Sequence, residues 1–177
     1  MTAFPHRIID PRYTLGVVIP VPEPQRAQLH QWRVRHGSPD SHQVAPHITL
    51  VTGSHRGTWQ QAAAHVAQVL RQVPAFDVHL GGACSFRPAS QVVYLPLESG
   101  ARQCHRIHAS LLDGPLHHDS QFAYHPHLTI TQNVPDRQLD EALAELGQVQ
   151  MGFPVTTVQL FDMRRGQWNL TEQFDLA

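Results

Sequence analysis

Two short stretches of the sequence repeat one pattern: APHITLVTG at residues 45–53 and YHPHLTITQ at residues 124–132. Both contain proline, histidine, an aliphatic residue, threonine and a second aliphatic residue, in that order. Side chains two positions apart on a β-strand project from the same face. The pattern therefore predicts that His47 and Thr49 point together from one strand, and that His127 and Thr129 do so from another.

Two such pairs, facing each other across a cleft, would supply a specific chemistry. One protonated and one neutral imidazole form an acid–base couple that works near neutral pH. Two hydroxyls can donate hydrogen bonds to oxygens that gain negative charge during a reaction. This set suits in-line displacement at phosphorus without a metal ion. The predicted catalytic residues are therefore His47, Thr49, His127 and Thr129.

Helices and strands alternate around the two motifs. Apolar periodicity predicts seven strands, at 13–20, 44–51, 76–80, 91–97, 122–131, 155–163 and 167–174, and four helices, at 27–34, 58–73, 100–112 and 136–146. The second helix begins with a capping-box pattern, Thr58 to Gln61. Asp136 is the predicted cap of the fourth helix. Glycine at 37 and 147 and proline at 74 end three of the helices.

A shift of the first half by 80 residues places most of its elements over those of the second half. We therefore expect one domain over residues 1–177, built from two pseudo-repeats at about 13–90 and 91–175. The predicted fold class is α+β: a duplicated bilobal fold with two antiparallel sheets, helices outside, and a pseudo-twofold axis through a central cleft. Alternating strands and helices could also form a parallel doubly wound sheet. The paired late strands in each half favour the antiparallel arrangement.

Composition limits the class of protein. With 177 residues, 41% hydrophobic and 15% charged, the chain is expected to fold as a globular domain. A formal net charge of −1 argues against binding to bulk duplex nucleic acid, which depends on many phosphate contacts. Two cysteines, Cys84 and Cys104, are expected to be reduced thiols. No secretory signal pattern or membrane-length apolar run is present, so a cytoplasmic location and no membrane partner are predicted.

The segments HITL at 47–50 and HLTI at 127–130, with their separation and the order of the surrounding elements, resemble the two-histidine (2H) phosphoesterases. That family includes the bacterial 2′,5′ RNA ligase-like proteins and the RNA 2′,3′-cyclic phosphodiesterases. The resemblance implies a hydrolase that opens cyclic phosphates on RNA ends or small nucleotides without a cofactor, with 2′,5′ ligation as the reverse reaction. It also implies that His127 is the base that activates water and that His47 is the acid.

The sequence departs from this family at two places. Thr131-Gln132-Asn133 stands where many members carry a basic residue after the second motif. Val51-Thr52-Gly53-Ser54 replaces a frequent aromatic-glycine segment. The missing positive charge could come from Arg12, Arg56 or Arg87, although each is more typical of a solvated surface arginine.

Other histidines and aromatic residues have ordinary interpretations. His125 is expected at the rim of the site. An exposed polar position is expected for His105, His108, His117 and His118, and packing in the core for Trp59, Phe86 and Trp168.

Two alternative functions use the same observations differently. A non-catalytic module could hold nucleotides or RNA ends without converting them, and binding without product would identify it. A metal hydrolase would account for the 14 histidines, and loss of activity to a chelator would identify that class.

Overall fold

A computed structural model describes residues 14–177, so the predictions for Arg12 and Tyr13 lie outside the described residues. Strands and helices follow one another along the chain. The strands are β1 (Leu15–Pro20), β2 (His47–His55), β3 (Phe76–Leu80), β4 (Cys84–Ser85), β5 (Val92–Ser99), β6 (Leu116–His118), β7 (His127–Gln132), β8 (Met151–Val155), β9 (Thr157–Asp162) and β10 (Asn169–Asp175). The helices are α1 (Gln25–Arg35), α2 (Trp59–Leu70), α3 (Ala101–Leu112) and α4 (Asp136–Leu146).

In the described residues the strands form one antiparallel sheet of ten strands, whose two halves meet at the centre of the molecule. The order is β10-β9-β1-β2-β7-β5-β3-β8, with β6 beside β2 and β4 beside β5. The two halves of the sheet join between β2 and β7, where the paired residues are Ile48 and Leu128. The predicted α+β class with antiparallel strands is confirmed, the two halves being continuous through this pair, and the parallel doubly wound alternative is wrong.

Each half of the sheet contains strands from the other half of the chain. β9, from the second half, pairs with β1, whereas β3, from the first half, pairs with β5. The order β9-β1-β2 on one side of the central pair corresponds to β3-β5-β7 on the other. Exchange of these strands ties the two halves of the sequence together, because neither half of the sheet can be assembled from one half of the sequence.

Both motif strands carry a β-bulge at the same place. Register shifts from Val17↔Val51 to Val18↔Thr49 between β1 and β2, which leaves Leu50 without an opposite residue. An equivalent shift between β5 and β7 leaves Ile130 unpaired. A bulge inserts one residue and thereby breaks the alternation of faces. As a result, two consecutive residues after each motif threonine are buried.

The helix ends are partly as predicted. The Thr58–Gln61 capping box is confirmed: Thr58 Oγ1 accepts from the Gln61 backbone N–H at 3.2 Å, and Gln61 Oε1 accepts from the Thr58 N–H at 2.8 Å. The Asp136 cap is wrong, because Pro135 occupies the cap position and Asp136 is the first helical residue. There its carboxylate still lies in the first turn, where negative charge stabilises a helix.

Several strand limits differ from the prediction because of sheet contacts. The strand predicted at 122–131 begins only at His127. A loop predicted after α3 contains β6, which pairs with β2 from Gly53 to His55. A Cβ at Gly53 would overlap the carbonyl oxygen of His117 and lie 2.7 Å from the Asp119 nitrogen, so close approach of β6 requires glycine there. The segment predicted as one strand at 155–163 is β9, and β8 precedes it at the sheet edge, where Pro154 is tolerated.

Candidate active site

The structure brings the four predicted catalytic residues together. Ile48 and Leu128 are fully buried at 0% exposure, while His47, Thr49, His127 and Thr129 are partly exposed on the opposite face and line a cavity of about 810 Å³. Antiparallel pairing of Ile48 with Leu128 brings the two motifs side by side at the centre of the sheet. On neighbouring antiparallel strands, diagonal side chains of one face lie about 7–8 Å apart, a separation that long or aromatic side chains can span.

Both histidines are oriented in the same way. His47 Nδ1 lies 2.8 Å from the carbonyl oxygen of Ala45, and His127 Nδ1 lies 2.6 Å from that of His125. A carbonyl oxygen can only accept, so each neutral ring carries its proton on Nδ1 and donates it to the backbone. Nε2 is consequently the nitrogen of each ring that can exchange a proton with a ligand.

The cavity disfavours positive charge on both rings. Burial lowers the pKa of His47 to about 4; the hydrogen bond to Ala45 opposes this effect, and the charges of Arg33 and His127 add to it. Burial also lowers the pKa of His127, opposed by the hydrogen bond to His125 and aided by the charge of His125. The charge of Arg33 acts on His47 and is not a cause of the shift at His127, so a first proton entering the pair favours His127.

Aromatic rings line the cavity beside both histidines. Trp168 lies 5.2 Å from the ring of His47 between centroids. Phe86 stacks on Tyr94 at 3.9 Å and lies 5.0 Å from the ring of His127. The prediction of core packing is wrong for Phe86, which is partly exposed in the cavity lining. Trp168 also lines the cavity, but it packs against the buried cluster of Val18, Phe161 and Met163. Trp59 does pack against the core.

Three side chains brace β2 at its bulge. The Tyr124 hydroxyl donates to the Thr49 carbonyl at 2.9 Å, His108 Nδ1 donates to the Leu50 carbonyl at 2.7 Å, and the Thr52 N–H donates to Nδ1 of His118 at 3.2 Å. The rings of His108 and Tyr124 stack at 3.8 Å with an interplanar angle of 5°. These contacts hold the backbone that carries Thr49.

Two of the histidines predicted to be exposed are therefore not. His108 and His118 are half-buried, and burial lowers the pKa of each. His105 and His117 are exposed, as predicted. The prediction failed because the partners of His108 and His118 are backbone groups on a distant strand.

The positive charge of the cavity comes from a residue that the sequence prediction missed. Arg33, on α1, is only 4% exposed and lines the cavity. Arg87 instead pairs with Asp140 at 2.6 Å and Asp136 at 3.6 Å, and Arg56 donates to the carbonyl of Gly114 at 3.3 Å. Of residues 14–177, Arg33 is the one arginine in the cavity lining. Arg33 lies four residues after Leu29, and both are on the buried face of α1. This spacing is the sequence signal that could have identified Arg33 as a buried arginine.

The structure also shows the positions of the remaining candidate residues, His125 and the two cysteines. His125 is exposed at the cavity rim, as predicted, and its ring centroid lies 5.9 Å from that of His127. Cys84 and Cys104 are unpaired thiols. Within the described residues, no group of three or more His, Cys, Asp or Glu side chains is arranged to hold a metal ion. None of the helices between residues 14 and 177 has the length and apolar character needed to span a bilayer.

Comparison with known proteins identifies the family. A model of the 2′-5′ RNA ligase superfamily matches residues 20–167. The chain is 25% identical over 166 residues to the Geobacillus kaustophilus protein named "Putative phosphoesterase GK0864", covering 90% of this chain and 94% of that protein. The chain therefore belongs to the 2′-5′ RNA ligase superfamily, which confirms the predicted relation to two-histidine phosphoesterases and supports a phosphodiesterase-type function.

Solved structures share the fold. E. coli LigT complexed with NADP+ aligns with a TM-score of 0.64 and 22% identity, covering 93% of this chain and 98% of LigT. LigT complexed with 3′-AMP gives a TM-score of 0.63 at 21% identity over the same shares. Kluyveromyces marxianus Usb1 with uridine monophosphate gives 0.58 at 12% identity, covering 94% of this chain and 99% of Usb1.

Proposed function

We propose that this protein is a metal-independent cyclic phosphodiesterase that hydrolyses 2′,3′-cyclic phosphates on RNA ends or small nucleotides, with a role in RNA processing. The observation that carries the proposal is the matched pair of imidazoles. Each donates Nδ1–H to a carbonyl two residues earlier in the chain, so that both Nε2 atoms are available in one cavity. Two such imidazoles supply the acid and the base for displacement at phosphorus.

The reaction assigns one role to each member of the set. The base removes a proton from water as the water oxygen bonds to phosphorus, and the bond from phosphorus to the 2′ or 3′ oxygen breaks. The acid protonates that leaving oxygen, and the product is a nucleoside phosphomonoester. The hydroxyls of Thr49 and Thr129 donate to the non-bridging oxygens, on which negative charge develops.

Electrostatics favours a reversal of the roles implied by the family resemblance. Because the first proton resides on His127, His47 is neutral and suited to act as base, and His127 is the acid for hydrolysis. After one turnover the proton is on His47, so the reverse reaction uses His127 as base. Ligation instead uses the same roles as hydrolysis, with an RNA 5′-hydroxyl in place of water. The hydroxyl loses its proton to His47 as its oxygen bonds to the phosphorus of the cyclic phosphate. The bond from phosphorus to the 3′ oxygen breaks, His127 protonates that oxygen, and a 2′,5′ linkage remains.

The comparisons support a nucleotide-sized substrate. LigT is complexed with 3′-AMP, and Usb1 with uridine monophosphate, and both share the fold of this chain. The cavity of about 810 Å³ lies within the range of small-molecule sites. RNA ends and small cyclic nucleotides are therefore the proposed substrates.

Incubation with 2′,3′-cyclic mononucleotides and a short RNA ending in a cyclic phosphate, followed by mass analysis of the products, tests the proposal. His47→Ala and His127→Ala should each lower kcat by about 10²–10⁴-fold, the usual contribution of an acid or base. His42→Ala, at an exposed histidine outside the cavity lining, is the matched control and should keep the wild-type rate.

Three results would reject the proposal. Full activity in either catalytic variant would remove the acid–base assignment. Calorimetric binding without product would favour the non-catalytic module. Activity abolished by a chelator and restored by zinc would favour the metal hydrolase.

A further inference from the structure

The cavity extends past the catalytic residues to a second polar region near the start of β2. Arg33, Ser38, Asp40 and Gln132 line this part of the cavity. Gln132 lies three residues beyond Thr129, which is about 10 Å along a strand at roughly 3.4 Å per residue. That is the scale on which a nucleotide separates its phosphate from the far edge of its base.

Arg33 has spare hydrogen-bonding capacity in this region. Its Nη1 donates to the Val44 carbonyl at 2.9 Å, and its buried Nε has no hydrogen-bond partner. A guanidinium carries five N–H donors in a fixed plane. Buried polar groups without partners are uncommon in folded proteins and call for an explanation. Nε is shielded from the cavity, so a ligand there would accept from the terminal N–H groups of the guanidinium, of which only Nη1 is used by the Val44 carbonyl.

Asp40 supplies a carboxylate beside this guanidinium. Gln132 Nε2 donates to Asp40 Oδ2 at 2.6 Å, which sets the orientation of the carboxylate. Arg33 and Asp40 attract each other electrostatically, yet they are not in ion-pair contact. The two groups therefore present donors and acceptors side by side with a combined charge of zero. A second phosphate would be repelled by Asp40, whereas a neutral group with both acceptors and donors is complementary to the pair.

We propose that Arg33 and Asp40 form a base-binding subsite for guanine; this inference rests on the proposed function. The Asp40 carboxylate accepts from N1–H and N2–H of the base, and Arg33 donates to O6. Guanine alone among the four bases carries two adjacent donor groups next to a carbonyl acceptor on its Watson–Crick edge. Adenine and cytosine offer one amino donor beside a ring acceptor, and uracil offers one N–H between two carbonyls.

The test is kcat/KM for the 2′,3′-cyclic phosphates of guanosine, adenosine, cytidine and uridine. Wild-type protein should prefer the guanosine substrate roughly 5- to 150-fold, the discrimination of a good bidentate base contact. Asp40→Asn should lose this preference by lowering kcat/KM for the guanosine substrate alone. Arg33→Lys keeps the charge but not the planar fork, and should also reduce the preference. Asp77→Asn, at an exposed position on β3 outside the cavity lining, is the control.

The outcomes separate this inference from the proposed function. Turnover of all four substrates at equal kcat/KM would overturn the guanine subsite and leave the phosphodiesterase intact. If Asp40→Asn raised kcat/KM for every substrate, a phosphate would occupy this region, because Asp40 repels a phosphate and the variant removes that repulsion. This result would also overturn the guanine subsite. Absence of turnover on any substrate would reject the function; calorimetry with 3′-GMP and 3′-AMP then decides the subsite, which requires tighter binding of 3′-GMP. Asp40 is partly buried in a loop, so Asp40→Asn is expected to fold and to test the subsite even if Arg33→Lys fails to fold.

Discussion

His127 should take up a proton at a higher pH than His47 when the free protein is titrated. Burial disfavours the protonated form of both rings, but the charge of Arg33 acts further on His47. The repulsion between the two imidazolium charges then lowers the pKa of the ring that is protonated second, which is His47. The pKa of His47 is thereby lowered from an ordinary value of 6.5 to about 4. At 1.36 kcal/mol per pKa unit this is roughly 2–3 kcal/mol, with allowance for the partial exposure of the ring.

Two-dimensional NMR of the imidazole nitrogens between pH 3.5 and 8 measures both titrations. His47→Gln and His127→Gln assign the signals and also test the coupling. In His127→Gln the pKa of His47 should rise, because the like charge is gone. His42→Gln should leave both titrations unchanged.

The same titrations determine the pH–rate profile. With His47 as base and His127 as acid, kcat/KM should fall at low pH as His47 is protonated, and at higher pH as His127 loses its proton. The optimum should lie below pH 6.5. Titration of His47 above His127, or a His47 pKa unaffected by His127→Gln, would refute the electrostatic reasoning and return the roles to those implied by the family.

Three further predictions concern stability and strand position. Below pH 6.5 the unfolded chain binds more protons at His47 than the folded chain does, so the free energy of unfolding should decrease as the pH falls toward 4. Urea unfolding of His47→Gln should show a shallower decrease of this free energy with pH. Equal pH dependence in the variant and the wild type would contradict the prediction. Tyr124→Phe should lower stability by about 1–2 kcal/mol and reduce kcat, since the Thr49 carbonyl loses its hydrogen bond; unchanged kinetics and unfolding would exclude a bracing role. Gly53→Ala should cost about 1–3 kcal/mol in thermal unfolding, whereas Ser54→Ala on the same strand should cost little.

Local sequence patterns predicted much of the fold. The amphipathic helix after Thr58 and its capping box follow from short-range spacing, because residues three and four apart share a helix face. Alternation within each motif predicted that the histidine and threonine project together, and their partly exposed positions agree. It failed two residues after each threonine, at Val51 and Thr131, which are buried because a bulge interrupts the alternation, and a bulge depends on the partner strand.

Other features of the site depend on chain segments that are far apart in sequence. Pairing of β2 with β7 brings the two motifs together. Packing of α3 and β6 against β2 turns His108 and His118 from expected surface residues into supports of the active strand.

The sequence by itself determined the family, the antiparallel α+β class and the four candidate catalytic residues, since these depend on the repeated motif and on the short-range periodicity of strands and helices. Only the tertiary structure decided that β3 and β9 exchange between the two halves of the sheet, and that Arg33 is the arginine of the cavity lining. The physical reason is that burial and electrostatic coupling come from contacts between residues distant in the chain. The pKa of His47 is low because other elements exclude water from its ring and place positive charges near it, and no local pattern encodes those neighbours.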